Sequence, residues 1–326
     1  MLGKSKDLVK VGLHFMREIF AVVEGIQGFK TNSVNSDESS RAQLRRNIHR
    51  IEKGLIMKPR KSVFAKGYIT ETINLYESVL KSSNIGFDEW IWFSDVLDMY
   101  FGVVSHSEII ANNFELYQKI RFDEIAPDSK THSLKKVPYK ASQRPDSSIT
   151  FEDLEKLFKR RRSVRFFTKK KPDIEAIRNC VTLASEAPSA CNRQPFRFLY
   201  SDSDVLVSAI ANCAGGTAGY GDNLPAIMVV VGDLSYFNNP FDRHVIYIDS
   251  SLFTMQLLLA LETQGLSSCA INWPDYKVPD LNLRKLVDLK SSERVIMLIG
   301  IGYADENSEI PFSHKKTSKE LLEVCK

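Results

Sequence analysis

A change in composition at 126–148 constrains this chain most, because it separates a helix-patterned half from a half that mixes helix and strand signals. The stretch is rich in Pro, Ser, Lys, Asp and Gln and poor in large apolar side chains. It cannot bury enough surface to offset the entropy of ordering itself. Ahead of it, segments 7–24, 39–53, 66–81 and 88–101 place apolar residues at three and four spacing, as in Ile69, Ile73, Tyr76 and Leu80. That spacing predicts helices, and no strand alternation competes with it. The organisation expected is a helical accessory region over 1–125, a linker over 126–150 and a second domain over 151–326.

The second half carries both element types. Segments 226–232 (AIMVVVG) and 294–300 (RVIMLIG) are β-branched runs closed by glycine, the pattern of buried strands. A further strand is expected over 197–200, and helices over 151–159 and 173–187. In the latter, Ile174, Ile177, Val181 and Ala184 share a face, Pro172 occupies the first turn and Pro188 ends the helix. From 249 to 264 the helix pattern is apolar nearly all round, with Gly265 as its C-terminal cap. Such a helix must be buried on most sides, in a core or at a subunit interface.

Bulk properties exclude several classes. At 326 residues and 43% apolar content, the chain can build a sizeable core. A net charge of +4 is too small to argue nucleic-acid binding. The five cysteines are an odd, scattered set without a CxxC pair, which fits a reduced, cytoplasmic chain. The apolar stretch 8–23 is interrupted by Lys10, His14, Arg17 and Glu18, so it reads as an amphipathic helix and not a membrane span. The six histidines show no HExxH or paired spacing, and no metal site is expected.

Two short motifs point to chemistry. The run Arg160-Arg161-Arg162-Ser163-Val164-Arg165-Phe166 concentrates guanidinium groups beside a hydroxyl, a set suited to bidentate bonds with a phosphate. On its own it also fits a solvated basic face or a nucleic-acid patch, although it lacks the interleaved aromatic residues of the latter. The segment 187–198 (APSACNRQPFRF) is a short loop fixed by two prolines, with Ser189, Asn192 and Gln194 offering side-chain hydrogen bonds to a heterocycle edge. Alone it fits a polar turn between helix and strand equally well.

Taken together and in this order, the two motifs resemble the nitroreductase family of flavoproteins. Further matches follow: Met255, Gln256 and Leu257 to Ala260 on the apolar helix, then Gly265-Leu266-Ser267-Ser268-Cys269, then Gly300-Ile301-Gly302-Tyr303. The resemblance covers about 152–326. It implies an α+β fold with a central mixed or antiparallel sheet flanked by helices, preceded here by a mainly helical region. It also implies an FMN-dependent oxidoreductase using NAD(P)H, with NADH and NADPH undistinguished, that reduces a small organic acceptor by ping-pong hydride transfer. Arg161, Arg162, Ser163 and Arg165 would hold the FMN phosphate and ribityl chain, with Lys315 as a further cation. Pro188, Ser189, Asn192 and Gln194 would line one side of the flavin, and Ala270, Ile271 and Asn272 the side near N5. The family's habit of building FMN sites at a subunit interface implies a homodimer.

Departures from the family pattern limit the substrate assignment. Phe196 stands where the family commonly has Trp, and the segment 272–275 matches no typical substrate loop. Specialised chemistry on the same scaffold remains the alternative: reductive dehalogenation, a biosynthetic dehydrogenation or flavin cleavage. A non-catalytic FMN-binding protein that recruits a partner is a further one. Cys191 sits in the active loop, but without a local His it reads as a packed side chain and not a nucleophile. The basic run 45–54 in the first half could meet an anionic ligand, but it reads first as a solvated helix face.

Overall fold

The computed structural model describes residues 2–35, 37–81, 85–105, 107–124 and 135–325. The expected linker therefore falls partly on 125–134, outside the described residues. Among the described residues, the first half is built from the α-helices α1 (Leu2–Asn35), α2 (Asp37–Leu55), α3 (Ile69–Lys81), α4 (Phe87–Val103) and α5 (Glu108–Glu124). Helices α2 to α5 close around their own core, in which Leu44, Ile48, Ile73, Phe93, Tyr100 and Tyr117 are buried. Two buried tyrosines find partners there, Tyr76 with the Ser94 hydroxyl at 2.8 Å and Tyr117 with Asp98 Oδ1 at 2.7 Å. Buried hydroxyls need such partners.

The second half is a three-layer α+β arrangement. Strands β1 (Phe196–Ser201), β2 (Ala226–Asp233), β3 (Ser267–Asn272) and β4 (Glu293–Gly302) form one sheet in the order β1-β2-β4-β3, every neighbouring pair antiparallel. Strand β2 is buried at every position, as its run of β-branched residues requires. Its alternation serves two faces. Met228 and Val230 pack with α7 (Ile174–Ala184) and α9 (Val245–Thr263) through Ile177, Cys180, Phe253 and Leu257. Ile227, Val229 and Val231 pack on the opposite side with α8 (Asp204–Cys213) and α10 (Lys277–Leu283) through Val207, Ile210 and Leu283.

Helix α6 (Phe151–Arg160) leads into the arginine motif and is capped by Thr150, whose hydroxyl accepts from Asp153 N at 3.1 Å. Helix α7 starts later than expected: Asp173 is its N-cap and Pro172 precedes it. At the end of α9, Gly265 adopts φ +71, and Leu266 N donates back to Leu261 O at 2.9 Å. This left-handed cap turns the chain directly into β3.

Two expectations need correction. The helix read as apolar all round is not covered all round: Ile248, Leu252 and Met255 on α9 are 56%, 44% and 42% exposed. The interval 240–263 is long and apolar enough to cross a membrane, yet half of its window is packed inside the chain, against the sheet and α7. The basic run on α2 is also not a solvated face. Arg45 keeps 16% of its side chain exposed, and it grips Glu89 and lies over the Trp92 ring. Arg50 stacks on Tyr68, 3.7 Å from the ring centroid.

The first half lies directly against the second. Ala21 of α1 joins Leu234, Phe237 and Ile246 in a small shared core. Arg17 pairs with Asp275 at 2.9 Å and Asp280 at 3.2 Å, and Lys290 with Glu38 at 2.5 Å. Gly25 marks the closest approach, since a Cβ there would sit 2.7 Å from Leu234 Cβ and 2.8 Å from its backbone carbon.

Candidate functional site

The predicted site residues fall into two groups. The first forms along β3, an edge strand whose outer backbone side the sheet leaves unpaired. The arginine motif lies beside it: Ser163 forms a parallel bridge with Ser268, and Val164 N donates to Ser268 O at 3.1 Å. This brings Arg161, Arg162, Ser163 and Arg165 next to the strand that carries Ala270, Ile271 and Asn272. The motif is anchored further by Thr168 N to Tyr303 O at 2.8 Å and by Phe167 N to Asn223 Oδ1 at 2.6 Å.

The charge in this group is compensated only in part, by Glu262. Arg161, Arg162 and Arg165 are half-buried, and among the described residues none of them is in an ion pair. Arg162 Nη1 is turned onto the carbonyls of Phe158 and Arg161, and Arg165 lies over the Tyr220 ring. Arg160 takes the buried carboxylate of Glu262 at 3.3 Å. Burial pushes the Glu262 carboxyl above its ordinary range, against the pull of Arg160 and Arg161. The Ser268 hydroxyl is buried without a hydrogen-bond partner beside the same motif. Cations outside any ion pair and an orphaned hydroxyl fit an oxyanion with several acceptor oxygens, as a flavin phosphate has.

The second group is the loop 188–194. Cys191, Asn192 and Gln194 take φ of 56°, 52° and 52°, a left-handed conformation costly for residues other than glycine. The surroundings over-determine it. The Ser189 hydroxyl donates to Asp249 Oδ2 at 2.7 Å and accepts from Gln194 N at 2.8 Å, while Ala190 N donates to the same carboxylate oxygen at 2.9 Å. Burial raises the Asp249 pKa, and these bonds together with Arg193 oppose the rise. From the first half, Arg45 Nε donates to Asn192 O at 2.8 Å. Ser189, expected on the flavin, thus spends its hydroxyl inside the loop, while Asn192 and Gln194 remain half-buried and Pro188 exposed.

The two groups are not brought together within one chain. The loop is tied to Asp249 and the arginine motif to Glu262, at opposite ends of α9. At a helix rise of about 1.5 Å per residue these anchors are about 20 Å apart. Lys315 stands exposed on the irregular segment 309–317, joined to neither group by a hydrogen bond or ion pair among the described residues.

Comparison with known proteins matches the Nitroreductase family model over 158–214 and 215–303. The likeness to the nitroreductase family thus spans residues 158–303. An iodotyrosine deiodinase from Thermotoga neapolitana is 29% identical over 174 residues, covering 46% of this chain and 88% of that protein. An Archaeoglobus fulgidus protein, named as a candidate NADH dehydrogenase/NAD(P)H nitroreductase, is 26% identical over 161 residues, 48% of this chain and 89% of its own. Among solved structures, an FMN-dependent nitroreductase from Clostridium difficile R20291 aligns with 23% identity and a TM-score of 0.44, over 50% of this chain and 95% of its own. The nitroreductase-family domain thus accounts for the half that holds both site groups. Residues before 158 lie outside the family match, yet Arg45 among them braces the loop that Asp249 holds. Sequence reasoning missed Arg45, Asp249, Glu262 and Ser268. Of these, Ser268 had a signal in its place in a family-like stretch, and Arg45 in the basic run 45–54, although not for the role it plays.

Proposed function

We propose that this chain is an FMN-dependent oxidoreductase that uses NAD(P)H to reduce a small organic acceptor. The observation that carries the reading is the set of half-buried arginines, Arg161, Arg162 and Arg165, outside any ion pair among the described residues along the β3 edge. When bound, FMN would supply the redox chemistry, a hydride in from the nicotinamide and electrons out to the acceptor in alternating half-reactions. The chain's part is to bind and orient. Arg161, Arg162, Ser163 and Arg165 hold the phosphate and ribityl oxygens, and Lys315 adds a cation. The edge backbone over 270–272 supplies an N–H toward the flavin N5. No side-chain acid or base is required for hydride transfer, so positioning residues are the sensitive ones.

The working unit in this reading is a homodimer, with the 188–194 loop of one chain over the arginine motif of its partner. Three features support it. The two motifs sit at opposite ends of α9. Ile248, Leu252, Met255 and Leu259 form a seam with four-three-four spacing, exposed at the first three and half-exposed at the last. Helix α6 buries no residue in its own chain, although Phe151, Leu154 and Phe158 share one side.

The test is the visible spectrum after loading with FMN and removing the excess, followed by anaerobic NADH and NADPH. Retained flavin bands that bleach support the reading, and Arg161→Ala and Arg165→Ala should lose the flavin. A chain that retains none fails it. The likeness to an iodotyrosine deiodinase favours one second reading, reductive dehalogenation at the same flavin. Iodide release from iodotyrosine by the reduced protein, with no turnover of nitroaromatic or quinone acceptors, would select it.

A further inference from the structure

Helix α2 and the 188–194 loop do not close fully on each other. Between them lies a cavity of about 220 Å³ whose wall includes Arg41, Arg45, Arg193, Gln194, Phe196 and Tyr236. At about 30 Å³ per water, this is room for several waters or a short organic molecule.

The wall of this half-open cleft is strongly cationic. Arg193 is 5% exposed, and its Nε–H has no hydrogen-bond partner. Its one ion pair among the described residues is Asp242, at 3.4 Å from Nη1. Arg41 and Arg45 share a single carboxylate, that of the buried Glu89. The wall's own acid, Glu38, is engaged by Lys290 at 2.5 Å. Burial and the neighbouring Arg46 together hold the Arg193 pKa below its ordinary value, the expected response of a cation short of negative charge. A buried guanidinium with an unpaired donor calls for an acceptor. Phe196 and Ala42 add apolar surface to the same wall.

We propose that this cavity is a binding site for a small oxyanion, a carboxylate or a phosphate group, held by Arg41, Arg193 and Gln194 with any organic body against Phe196. The site is distinct from the arginine motif and does not depend on the flavin reading. Because Arg193 and Gln194 belong to the strained loop and Arg45 grips its Asn192 carbonyl, occupancy fastens that loop to the first half.

The test is calorimetric titration of the full chain, with and without loaded FMN, using sodium benzoate and inorganic phosphate at ionic strength held constant with chloride. The expected result, with FMN loaded so that the arginine motif is occupied, is saturable binding of at least one probe at a single site per chain. It should be weakened at least roughly ten-fold by Arg41→Gln, the loss of a charge-assisted bond, and unchanged by Arg60→Gln on an exposed loop. Hydrogen exchange over 190–196 should slow with the bound probe. Tighter benzoate assigns an organic carboxylate, and tighter phosphate a phosphorylated ligand. If Arg41→Gln does not fold, Arg41→Lys keeps the charge without the planar fork and should bind at an intermediate level. Absence of saturable binding by both probes overturns the proposal, as does binding that the Arg41 variants leave intact or that Arg60→Gln weakens equally. Flavin retention should be the same in Arg41→Gln as in the wild type, so a failure here is separable from a failure of the flavin reading.

Discussion

Arg45 Nε donates to the backbone carbonyl of Asn192 at 2.8 Å, joining residues 147 positions apart. One end of this contact is a helix of the additional region, and the other is a left-handed residue of the loop beside the proposed flavin. Replacing Arg45 with Ala removes that bond and leaves the buried Glu89 to Arg41 alone. We expect a loss of about 2–3 kcal/mol, the scale of a broken, partly buried charged bond, read as a lower urea midpoint, together with weaker FMN retention. Unchanged stability would mean that Arg41 and water replace Arg45 completely.

Gly25 offers a sharper test of how closely the halves are packed. Alanine in a helix interior gains about 1 kcal/mol over glycine. The added Cβ would meet Leu234 backbone atoms at 2.8 and 2.9 Å, however, and those cannot rotate away. Overpacking costs about 1–3 kcal/mol, so the clash should win. Gly25→Ala is expected to lower the thermal midpoint and speed proteolysis of α1. A raised midpoint would show that α1 does not hold this position.

Glu262 should leave a pH signature. Its carboxyl pKa lies above the ordinary 4.5 because burial disfavours the charge. Between 4.5 and the raised value the folded chain keeps a proton that the unfolded chain has released. The stability contributed by this group is therefore full below that window and falls as pH rises through it. Glu262→Gln does not titrate, so it should gain on the wild type as pH rises from about 4 to about 7 in paired urea titrations. A difference that stays flat would mean that Arg160 and Arg161 offset the burial penalty entirely.

A shared site can be read by mixing defects. Arg165→Ala and Asn192→Ala should each lose FMN. In a refolded mixture, half of the dimers carry one of each chain, and one site in each mixed dimer is intact. About a quarter of the wild-type flavin should return if the two motifs act across a two-fold interface. No recovery, in a mixture shown by sedimentation to contain mixed dimers, would place both motifs in one chain's site.

The skeleton of the second half was legible because buried strands advertise themselves: the runs at 226–232 and 294–300 fall inside β2 and β4. The arginine motif was legible because its residue types and its order relative to the 187–198 loop carry meaning together. Helices α8 and α10 were not read. The first buries only Val207, Ile210 and Ala211, and the second is a short segment containing Pro279. In α5, Asn112 and Asn113 interrupt the apolar pattern. The role of Arg45 was illegible for a different reason. An arginine within a basic run on a polar helix face looks solvated until the chain brings Glu89, Trp92 and Asn192 to it, and no local pattern records that.

The close docking at Gly25 and Ala21 makes the first half a retaining wall and not a passenger. A chain begun at residue 151 would leave Leu234, Phe237 and Ile246 facing water and would take the donor from the Asn192 carbonyl. The oxidoreductase half is thus no portable cassette. Grafting it elsewhere requires carrying α1 and α2 along, and damage to those two helices would surface in the 188–194 loop that Arg45 braces.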